Sequence, residues 1–122
     1  MNNFSELESK VIGWAKDRGI FDNGDTLAQL DKTQEELEET ILAVKNLRDW
    51  HQAMDREPSH VHAKTIEALE NEVADGIGDM LVTIIIAAEM VDLESTSCLQ
   101  LAYDEIKDRT GKMVEGQFVK DK

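Results

Sequence analysis

Two clusters of acidic side chains are the residues of this sequence best suited to chemistry. Within each cluster the carboxylates are three or four residues apart, a spacing that brings them to one side of a helix. The first cluster, which includes a lysine, is Lys32, Glu35, Glu36 and Glu39, and the second is Glu72, Asp75 and Asp79. If the two segments are helices that face each other, their carboxylates can meet between them.

Carboxylates held this close repel each other unless a positive charge lies between them. A ligand set made only of oxygen atoms suits a hard divalent ion such as Mg²⁺ or Mn²⁺. An ion held between two acidic helices could be presented to a chain of phosphates. The spacing of the clusters therefore predicts a metal site that handles a phosphorylated small molecule.

Four helical segments can position these clusters, and the composition favours an all-α fold. The sequence has one proline and few aromatic residues, and no long stretch alternates polar and apolar residues. Residues 19–24, residues 57–59 and Asp92 interrupt the helical pattern with turn-forming residues. The predicted helices run over about Phe4–Lys16, from Asp25 or Thr26 to Trp50, Val61–Met90 and Ser95–Lys112.

Apolar residues of the second and third helices form stripes at helical spacing, which indicates that each helix buries one face. The stripes are Leu30, Leu37, Ile41 and Val44 on the second helix and Ile66, Leu69, Val73, Ile77, Leu81, Ile84 and Ala88 on the third. At about 100° per residue, Glu36 and Glu39 lie beside their stripe, and the acidic face of the third helix is roughly opposite its stripe. We expect one domain, residues 1–122, folded as a four-helix bundle whose tail from Gly111 onward, about 113–122, is irregular.

The third helix loses its polar face beyond Asp79. Val82, Ile85 and Ile86 make this part apolar nearly all round, and such a helix has to be buried on more than one side. In a chain of only 122 residues, a second covered side often belongs to another subunit. We therefore expect the chain to self-associate as a homodimer or a homotetramer.

The charge of the chain restricts its partners. Lys and Arg total 13 against 26 Asp and Glu, which gives a formal net charge of −13. This charge opposes binding to nucleic acid or to an anionic membrane, and a polyanionic substrate would need metal ions to screen it. The single Cys98 fits a reducing cytoplasm, no basic-then-apolar leader opens the chain, and the apolar run Met80–Ala88 is too short to span a bilayer.

Two glycines stand where the third helix should continue. Gly76 and Gly78 lie next to Asp75 and Asp79, and each glycine costs a helix interior about 1 kcal/mol relative to alanine. Asp is itself a poor residue inside a helix. The segment therefore indicates either the close approach of another backbone or room for a ligand.

The arrangement of these motifs resembles the MazG-like nucleoside triphosphate pyrophosphohydrolases. The resemblance is carried by Lys32-x-x-Glu35-Glu36-x-x-Glu39, by Gly78-Asp79-Met80-Leu81 inside an apolar helix, and by the basic segment 106–113. The family signature is E-E-x-x-E, a spacer, and E-x-x-D. The match runs from about Leu27 to Val119, and it implies an all-α bundle that acts on nucleotides.

The resemblance implies metal-binding roles for Glu36 and Glu39 and, if Gly78-Asp79 is aligned, for Asp79. The glutamate that the family places three residues before that aspartate falls on Gly76, so the sequence departs from the pattern there. Asp75 or Glu72 could supply the missing oxygen. Glu72-x-x-Asp75 also satisfies E-x-x-D in another register.

The activity implied is the Mg²⁺-dependent hydrolysis of a (deoxy)nucleoside triphosphate to a monophosphate and pyrophosphate, with Mn²⁺ as an alternative metal. Glu35, next to the ligand pair, is the candidate for orienting or deprotonating the attacking water. Lys32, Arg109 and Lys112 could bind the phosphates, although each could instead make an ordinary surface ion pair. The family's housecleaning of nucleotide pools is the corresponding expectation for biological role.

Two other classes of function fit the same sequence. An acidic helical module could bind a basic protein partner without any turnover. A related pyrophosphohydrolase acting on dUTP or phosphoribosyl-ATP would share the helical architecture. A di-iron bundle is rejected, because its Glu-x-x-His motif occurs only at 57–60, across Pro58.

Overall fold

The chain is mostly helical. A computed structural model describes residues 3–122, with 77% helix in five helices and a small two-stranded sheet. The elements are α1 (Phe4–Asp17), α2 (Ile20–Asn23), α3 (Thr26–Arg56), α4 (His60–Met90), α5 (Ser95–Ile106), β1 (Gly111–Val114) and β2 (Gln117–Lys120). The expected all-α class is confirmed at this level. Over the same residues, none of the helices combines the length and the apolar character needed to cross a membrane.

Side-chain caps fix where the two long helices begin. The Asp25 carboxylate accepts a hydrogen bond from the backbone N–H of Ala28 at 3.1 Å, so Asp25 is the cap and α3 begins at the next residue. The Ser59 hydroxyl accepts from the N–H of His62 at 3.0 Å and caps α4. Each cap satisfies one backbone donor that the first helical turn leaves without a partner.

Several boundaries differ from the sequence prediction. Helix α3 continues past Trp50 to Arg56, because the chain offers no helix breaker before Pro58 and its restricted preceding residue. The interval predicted as a turn contains the short helix α2, which starts after Gly19 in the left-handed region. Helix α5 ends at Ile106 and does not reach Lys112.

The tail predicted to be irregular from Gly111, about 113–122, is instead an antiparallel β-hairpin. Gly111 pairs with Lys120 and Val114 with Gln117. The connecting residues Glu115 (φ 48°) and Gly116 (φ 80°) both have positive φ, the feature of the tight turn that matches the twist of paired strands. The prediction was wrong because it looked for a long alternation of polar and apolar residues. The hairpin is instead indicated by a two-residue turn that contains Gly116, between strands of only four residues.

Helices α3 and α4 form an antiparallel pair, and this pair is the main packing interaction of the structure. The residues of each helix that are shielded by the other recur at alternating spacings of four and three, as in a coiled coil. This seam consists of positions 29, 33, 36, 40, 43, 47 and 50 on α3 and 62, 66, 69, 73, 76, 80, 83, 87 and 90 on α4. The two helices, of 31 residues each, therefore lie alongside over most of their length.

The middle of the seam is built from small and polar residues. The hydroxyls of Thr33 and Thr83 form a hydrogen bond of 2.7 Å between the helices. A methyl group added at Gly76 would overlap the Thr40 hydroxyl and lie 3.2 Å from the Thr40 Cβ. Gly76 therefore allows α3 and α4 to approach closely, which is the first of the two explanations expected for the mid-helix glycines.

The α3–α4 pair has two sides of opposite character. In an antiparallel pair, the residue that follows a seam position points to the same side on both helices, and the residue that precedes it points to the other side. The side formed by residues that follow seam positions is the apolar side, with Leu30, Leu37, Ile41 and Val44 of α3 and Ile77, Leu81 and Ile84 of α4. The side formed by residues that precede seam positions is the acidic side, with Lys32, Glu35 and Glu39 of α3 and Glu72, Asp75 and Asp79 of α4.

The apolar stripes predicted from the sequence therefore do not form the α3–α4 contact alone. Leu37 and Ile41 remain 45% and 43% exposed, and Ile77 remains 48% exposed. Ile66, Leu69 and Val73 do lie in the seam. Most of the α3 stripe is thus an open face of the chain.

Helices α1 and α5 cover the apolar end of α4. Ile85 and Ile86 are 5% and 2% exposed, where α1 and α5 pack on α4. The reason given above for a second subunit, that Val82, Ile85 and Ile86 need a partner chain, is therefore wrong. These residues are covered largely from within the chain, and the face that lacks a cover is the apolar side further along the pair.

Candidate functional site

A groove of about 270 Å³ lies on the acidic side, at the middle of the α3–α4 pair. It lies where Thr40 meets Gly76, so the helices are close at its floor. Its lining residues are Glu36, Glu39, Thr40, Leu42, Ala43, Asn46, Glu72, Asp75, Gly76 and Asp79. All five carboxylates that the sequence suggested as metal ligands therefore line one groove, two on the α3 wall and three on the α4 wall.

The heptad pattern explains why these carboxylates share a groove. Glu39 directly precedes the seam position of Thr40, and Asp75 directly precedes that of Gly76. Because Thr40 contacts Gly76, the two acids flank the same contact from opposite helices. Glu36 is itself a seam position and is half-buried, so its carboxylate belongs to the base of the groove.

The pKa of Glu36 shows that acidic side chains of α3 and α4 are close enough to interact electrostatically. Loss of hydration raises the pKa of Glu36 above its ordinary value, and the negative charges of Glu39 and Asp79 raise it further. Lys32 opposes this shift, although the net pKa is still raised. A carboxylate repelled from both walls of a groove is a position where a bound cation would be stabilised.

The groove offers oxygen donors that suit a hard cation, but these donors do not form a complete coordination site. Its polar lining consists of five carboxylates, the Thr40 hydroxyl and the Asn46 amide, which are oxygen donors of the kind that Mg²⁺ prefers. Among residues 3–122, however, no three Asp, Glu, His or Cys side chains are grouped tightly enough to hold a metal ion. The donors fit the ion in type, and they line opposite walls of the groove.

Gly76 stands at the position where the family pattern has a glutamate. This position lies in the seam against Thr40, so any side chain there would push the helices apart. Gly78 has open space around its Cα, and no packing contact requires a glycine there. Glu72 and Asp75 both line the groove, and either can stand in for the missing glutamate.

Glu35 and Lys32 lie on the acidic side beyond the groove lining. The Lys32 ammonium is 3.5 Å from the Glu35 carboxylate, and both side chains are more than half exposed. A pair this exposed contributes little to stability. In this structure the proposed base is therefore turned toward a lysine and not into the groove.

Arg109 and Lys112, the other two proposed phosphate-binding residues, lie in the C-terminal segment after α5. Both are exposed, and neither lines the groove. Thus the structure brings together the five proposed metal ligands and places Lys32 near enough to act on Glu36, whereas Arg109 and Lys112 lie outside the groove lining.

Two polar groove residues did not stand out in the sequence. Thr40 is buried, and its hydroxyl donates to the Glu36 carbonyl at 2.7 Å, whereas Asn46 is exposed at the groove wall. Asn46 is seven residues after Glu39, and this heptad spacing was the signal that could have identified it. An amide at that position adds a neutral donor and acceptor to an acidic wall.

Comparisons with known proteins do not assign the chain to a family. No protein-family model, curated protein or solved structure matches it. The likeness to the MazG-like enzymes therefore stays a prediction from the motifs.

Proposed function

We propose that this protein is a MazG-like nucleoside triphosphate pyrophosphohydrolase, whose Mg²⁺ site is the groove on the acidic side of α3 and α4. The observation that carries the proposal is that Glu36, Glu39, Glu72, Asp75 and Asp79 line one groove from two facing helices. An acidic surface without such a purpose would gain stability by spacing its carboxylates apart. This chain instead gathers four of them around a fifth, the half-buried Glu36.

The two walls of the groove have separate tasks in this proposal. Glu36 and Glu39 hold the cation from α3, and Asp79 holds it from α4 together with Asp75 or Glu72. When bound, Mg²⁺, or Mn²⁺ in its place, neutralises phosphate charge and lowers the pKa of a coordinated water. The chain itself supplies the ligands, excludes water at the seam, and accepts the proton.

Glu35 is our candidate for the proton acceptor. It is one turn from Glu39 on the same side of α3, and its present partner is the Lys32 ammonium. When a phosphate chain draws Lys32 toward itself, the Glu35 carboxylate is released to orient or deprotonate the water. Lys32 thereby acts as a phosphate-binding residue, and Arg109 and Lys112 are the other cations assigned to that task.

Self-association is part of the proposed function. The open face formed by Leu37, Ile41, Ile77 and Leu81 has the extent and composition of a helix-pairing surface, since each residue is 43–48% exposed. Two copies that join through it complete a four-helix bundle made of two α3–α4 pairs. A homodimer, or a homotetramer formed from two such dimers, is the expected state in the cytoplasm.

Release of pyrophosphate is the direct test of the reaction. The purified chain is incubated with Mg²⁺ and, separately, with each common ribo- and deoxynucleoside triphosphate, dUTP and phosphoribosyl-ATP. We expect monophosphate and pyrophosphate in equal amounts from at least one of these, and no products when the metal is chelated. Release of orthophosphate in place of pyrophosphate would exclude the proposed bond cleavage.

An acidic interaction module is the second candidate, and the lack of a ready-made metal cage in residues 3–122 favours it. Such a module would bind a basic protein through the same carboxylates without any turnover. Absence of turnover with every nucleotide, together with salt-sensitive capture of a cationic polypeptide such as polylysine, would favour this function over the first.

A further inference from the structure

A second pocket lies on the acidic side, closer to the start of α3 than the groove is. Its volume is about 350 Å³. Ala28, Lys32 and Ile86 line it, and each of them directly precedes a seam position, as the residues of the acidic side do. Trp14 of α1 and Ile20 of α2 also line this pocket. Helices α1 and α2 therefore give it walls that the groove does not have.

Lys32 connects this pocket to the groove. Its side chain lines the pocket, and its positive charge is close enough to act on Glu36 at the base of the groove. Gln29, which also lines the pocket, is seven residues before Glu36, so about 10 Å of helix separates the two positions. The ribose of a nucleotide can bridge this distance, with the phosphates in the groove and the base in the pocket.

Trp14 gives the pocket an aromatic surface. Its side chain is 47% exposed, although it is large and apolar. The Arg18 guanidinium lies 5.3 Å from the centroid of the Trp14 ring, so one contact already holds the indole in place. A half-exposed indole at the wall of a pocket offers a flat surface on which a planar base can stack.

The polar groups of the pocket include a half-buried amide and a carboxylate, one helical turn apart on α3. The Gln29 carbonyl of the backbone accepts from the Thr33 hydroxyl at 3.2 Å, whereas the Gln29 side-chain amide has no hydrogen-bond partner within residues 3–122. The Asp25 carboxylate accepts from the Ala28 N–H at 3.1 Å and keeps the capacity to accept from a further donor. The pocket thus offers an amide next to a negatively charged acceptor.

This pair of polar groups matches a base that carries an exocyclic amino group beside a ring nitrogen, as cytosine and adenine do. The ring nitrogen can accept from the Gln29 amide while the amino group donates to the Asp25 carboxylate. Uracil and hypoxanthine have a carbonyl oxygen in place of the amino group. That oxygen would face the Asp25 carboxylate as a second acceptor, without a proton to share.

We propose that the pocket beside Trp14 binds the base of the nucleotide, and that Asp25 and Gln29 select bases with an exocyclic amino group. This inference rests on the proposed function in that the groove holds the phosphates. The nucleotide then lies along the acidic side, with its base next to α1 and its phosphates between the groove carboxylates. Lys32 lies between the two ends.

Tryptophan fluorescence tests the pocket without any need for turnover. The chain has two tryptophans, and Trp50 is 21 residues beyond Gln29, about 30 Å further along α3. Trp50→Phe leaves Trp14 as the reporter, and Trp14→Phe leaves Trp50 as the matched control. With Mg²⁺ present, we expect CMP to quench the Trp50→Phe chain and to bind about tenfold more tightly than UMP. Ribose 5-phosphate should not quench either chain, and CMP should not quench the Trp14→Phe chain.

The other results contradict the proposal. Absence of quenching by CMP in the Trp50→Phe chain, or equal quenching by ribose 5-phosphate, would show that no base lies against Trp14. Quenching of the Trp14→Phe chain would place the base at the opposite end of the α3–α4 pair. Equal affinity for CMP and UMP would reject the selection of amino groups, and AMP against IMP repeats this comparison with purines. Circular dichroism shows whether each variant keeps its helices.

Asp25→Asn tests the carboxylate, because asparagine caps a helix about as well as aspartate and carries no charge. The preference for CMP over UMP should fall from about tenfold to near unity. Asp31→Asn is the matched control, since Asp31 is an exposed acid of α3 outside the pocket lining, and it should keep the preference. A preference that survives Asp25→Asn would contradict the role of Asp25.

Failure of the pocket and failure of the reaction give different results. Selective binding of CMP without release of pyrophosphate from CTP would reject the proposed hydrolysis and retain the pocket. Release of pyrophosphate without any response of Trp14 would retain the hydrolysis and reject the pocket.

Discussion

The acidic side and the apolar side of the α3–α4 pair are separated by only two residue positions. Glu39 precedes the seam residue Thr40 and Ile41 follows it, and on α4 Asp75 and Ile77 flank Gly76 in the same way. One side gathers like charges around a groove, whereas the other exposes aliphatic side chains. The difference shows that the two helices are held together by their narrow seam, while both broader faces stay uncovered by the other helix. In our proposal one face takes a cation and a phosphorylated substrate, and the other takes a second subunit.

The largest effect is expected from charge on the apolar side. Ile41→Lys combined with Ile77→Lys should convert the oligomer to a species near the chain mass of 13.8 kDa. Both side chains are nearly half exposed in the single chain, so helicity should be retained. Light scattering and circular dichroism measure the two quantities.

Val61→Lys is the matched control for that change, since Val61 is 71% exposed at the start of α4 and lies off the apolar side. It should leave the mass unaltered. An oligomer that persists in the Ile41→Lys, Ile77→Lys chain would show that the apolar side is not the subunit contact.

The two glycines should respond in opposite directions to the same change. Gly76→Ala should lower the free energy of unfolding by about 1–3 kcal/mol, because the new methyl group displaces Thr40 from the seam. Gly78→Ala should raise it by about 1 kcal/mol, since nothing is near the new methyl group and alanine favours the helix. Urea denaturation gives both values. Equal effects at the two positions would mean that the helices do not meet at Gly76.

A third prediction concerns the end of the pair, where Glu8 joins α1 to α5. The Ser95 hydroxyl holds the pKa of Glu8 below its ordinary value. Burial opposes this shift, and the Thr96 N–H adds a smaller lowering. A carboxyl with a lowered pKa stabilises the fold above its unfolded pKa, and this stabilisation is lost as the pH falls through the folded pKa. Glu8→Gln should therefore cost about 2 kcal/mol at pH 7 and much less below about pH 4.

Denaturation curves at several pH values test this prediction, with the exposed Glu38→Gln on the outer face of α3 as control. A Glu8→Gln penalty that stayed constant down to low pH would show that the charge of Glu8 is not what caps α5.

The smallest effect is expected on the acidic side in the absence of metal. Asp79→Asn should leave the free energy of unfolding level or raise it slightly, because one repulsive charge beside Glu36 is removed. The raised pKa of Glu36 leads to the same expectation, because its ionised form destabilises the folded state. This destabilisation is lost as the pH falls through the pKa of Glu36 in the folded state. Thermal denaturation in chelator should show Asp79→Asn to be at least as stable as the parent, and a clear loss would indicate a structural role for Asp79.

A further prediction on the acidic side concerns whether Asp75 or Glu72 is the Mg²⁺ ligand that replaces the family glutamate. Asp75 lies beside the Thr40–Gly76 contact, one turn before Asp79, so Asp75→Asn should weaken Mg²⁺ binding about as much as Asp79→Asn. Glu72→Gln should have a milder effect. Isothermal titration with Mg²⁺ ranks the three variants, and a strong loss in Glu72→Gln beside an unaffected Asp75→Asn would reverse the assignment.

The sequence predicted the helices and the acidic groove because both depend on local spacing. Acids three and four residues apart share a helix side wherever the helix is placed, and Pro58 and Asp92 break the pattern without help from other elements. The prediction that the acids of the second and third helices converge rested on the apolar stripes and on the breaks between the helices.

The seam and the C-terminal hairpin could not be predicted in the same way. A seam built from Thr33, Glu36, Thr40 and Gly76 has no hydrophobic signal, whereas the visible aliphatic stripe beside it faces outward. The hairpin depends on one two-residue turn at Glu115 and Gly116, which a search for long alternating strands overlooks. In both cases close backbone contact decides the structure, and hydropathy carries little information about it.

The turnover of two variants that each lose one negative charge tests most directly that the acidic groove is the catalytic site. Glu39→Gln removes a groove carboxylate, and Glu38→Gln removes its immediate neighbour, which does not line the groove. With Mg²⁺ and the best nucleotide from the panel, we expect Glu39→Gln to reduce pyrophosphate release roughly a hundredfold, with helicity retained, and Glu38→Gln to match the parent. Full turnover in Glu39→Gln, or an equal loss in both variants, would contradict the assignment of the groove as the site of hydrolysis.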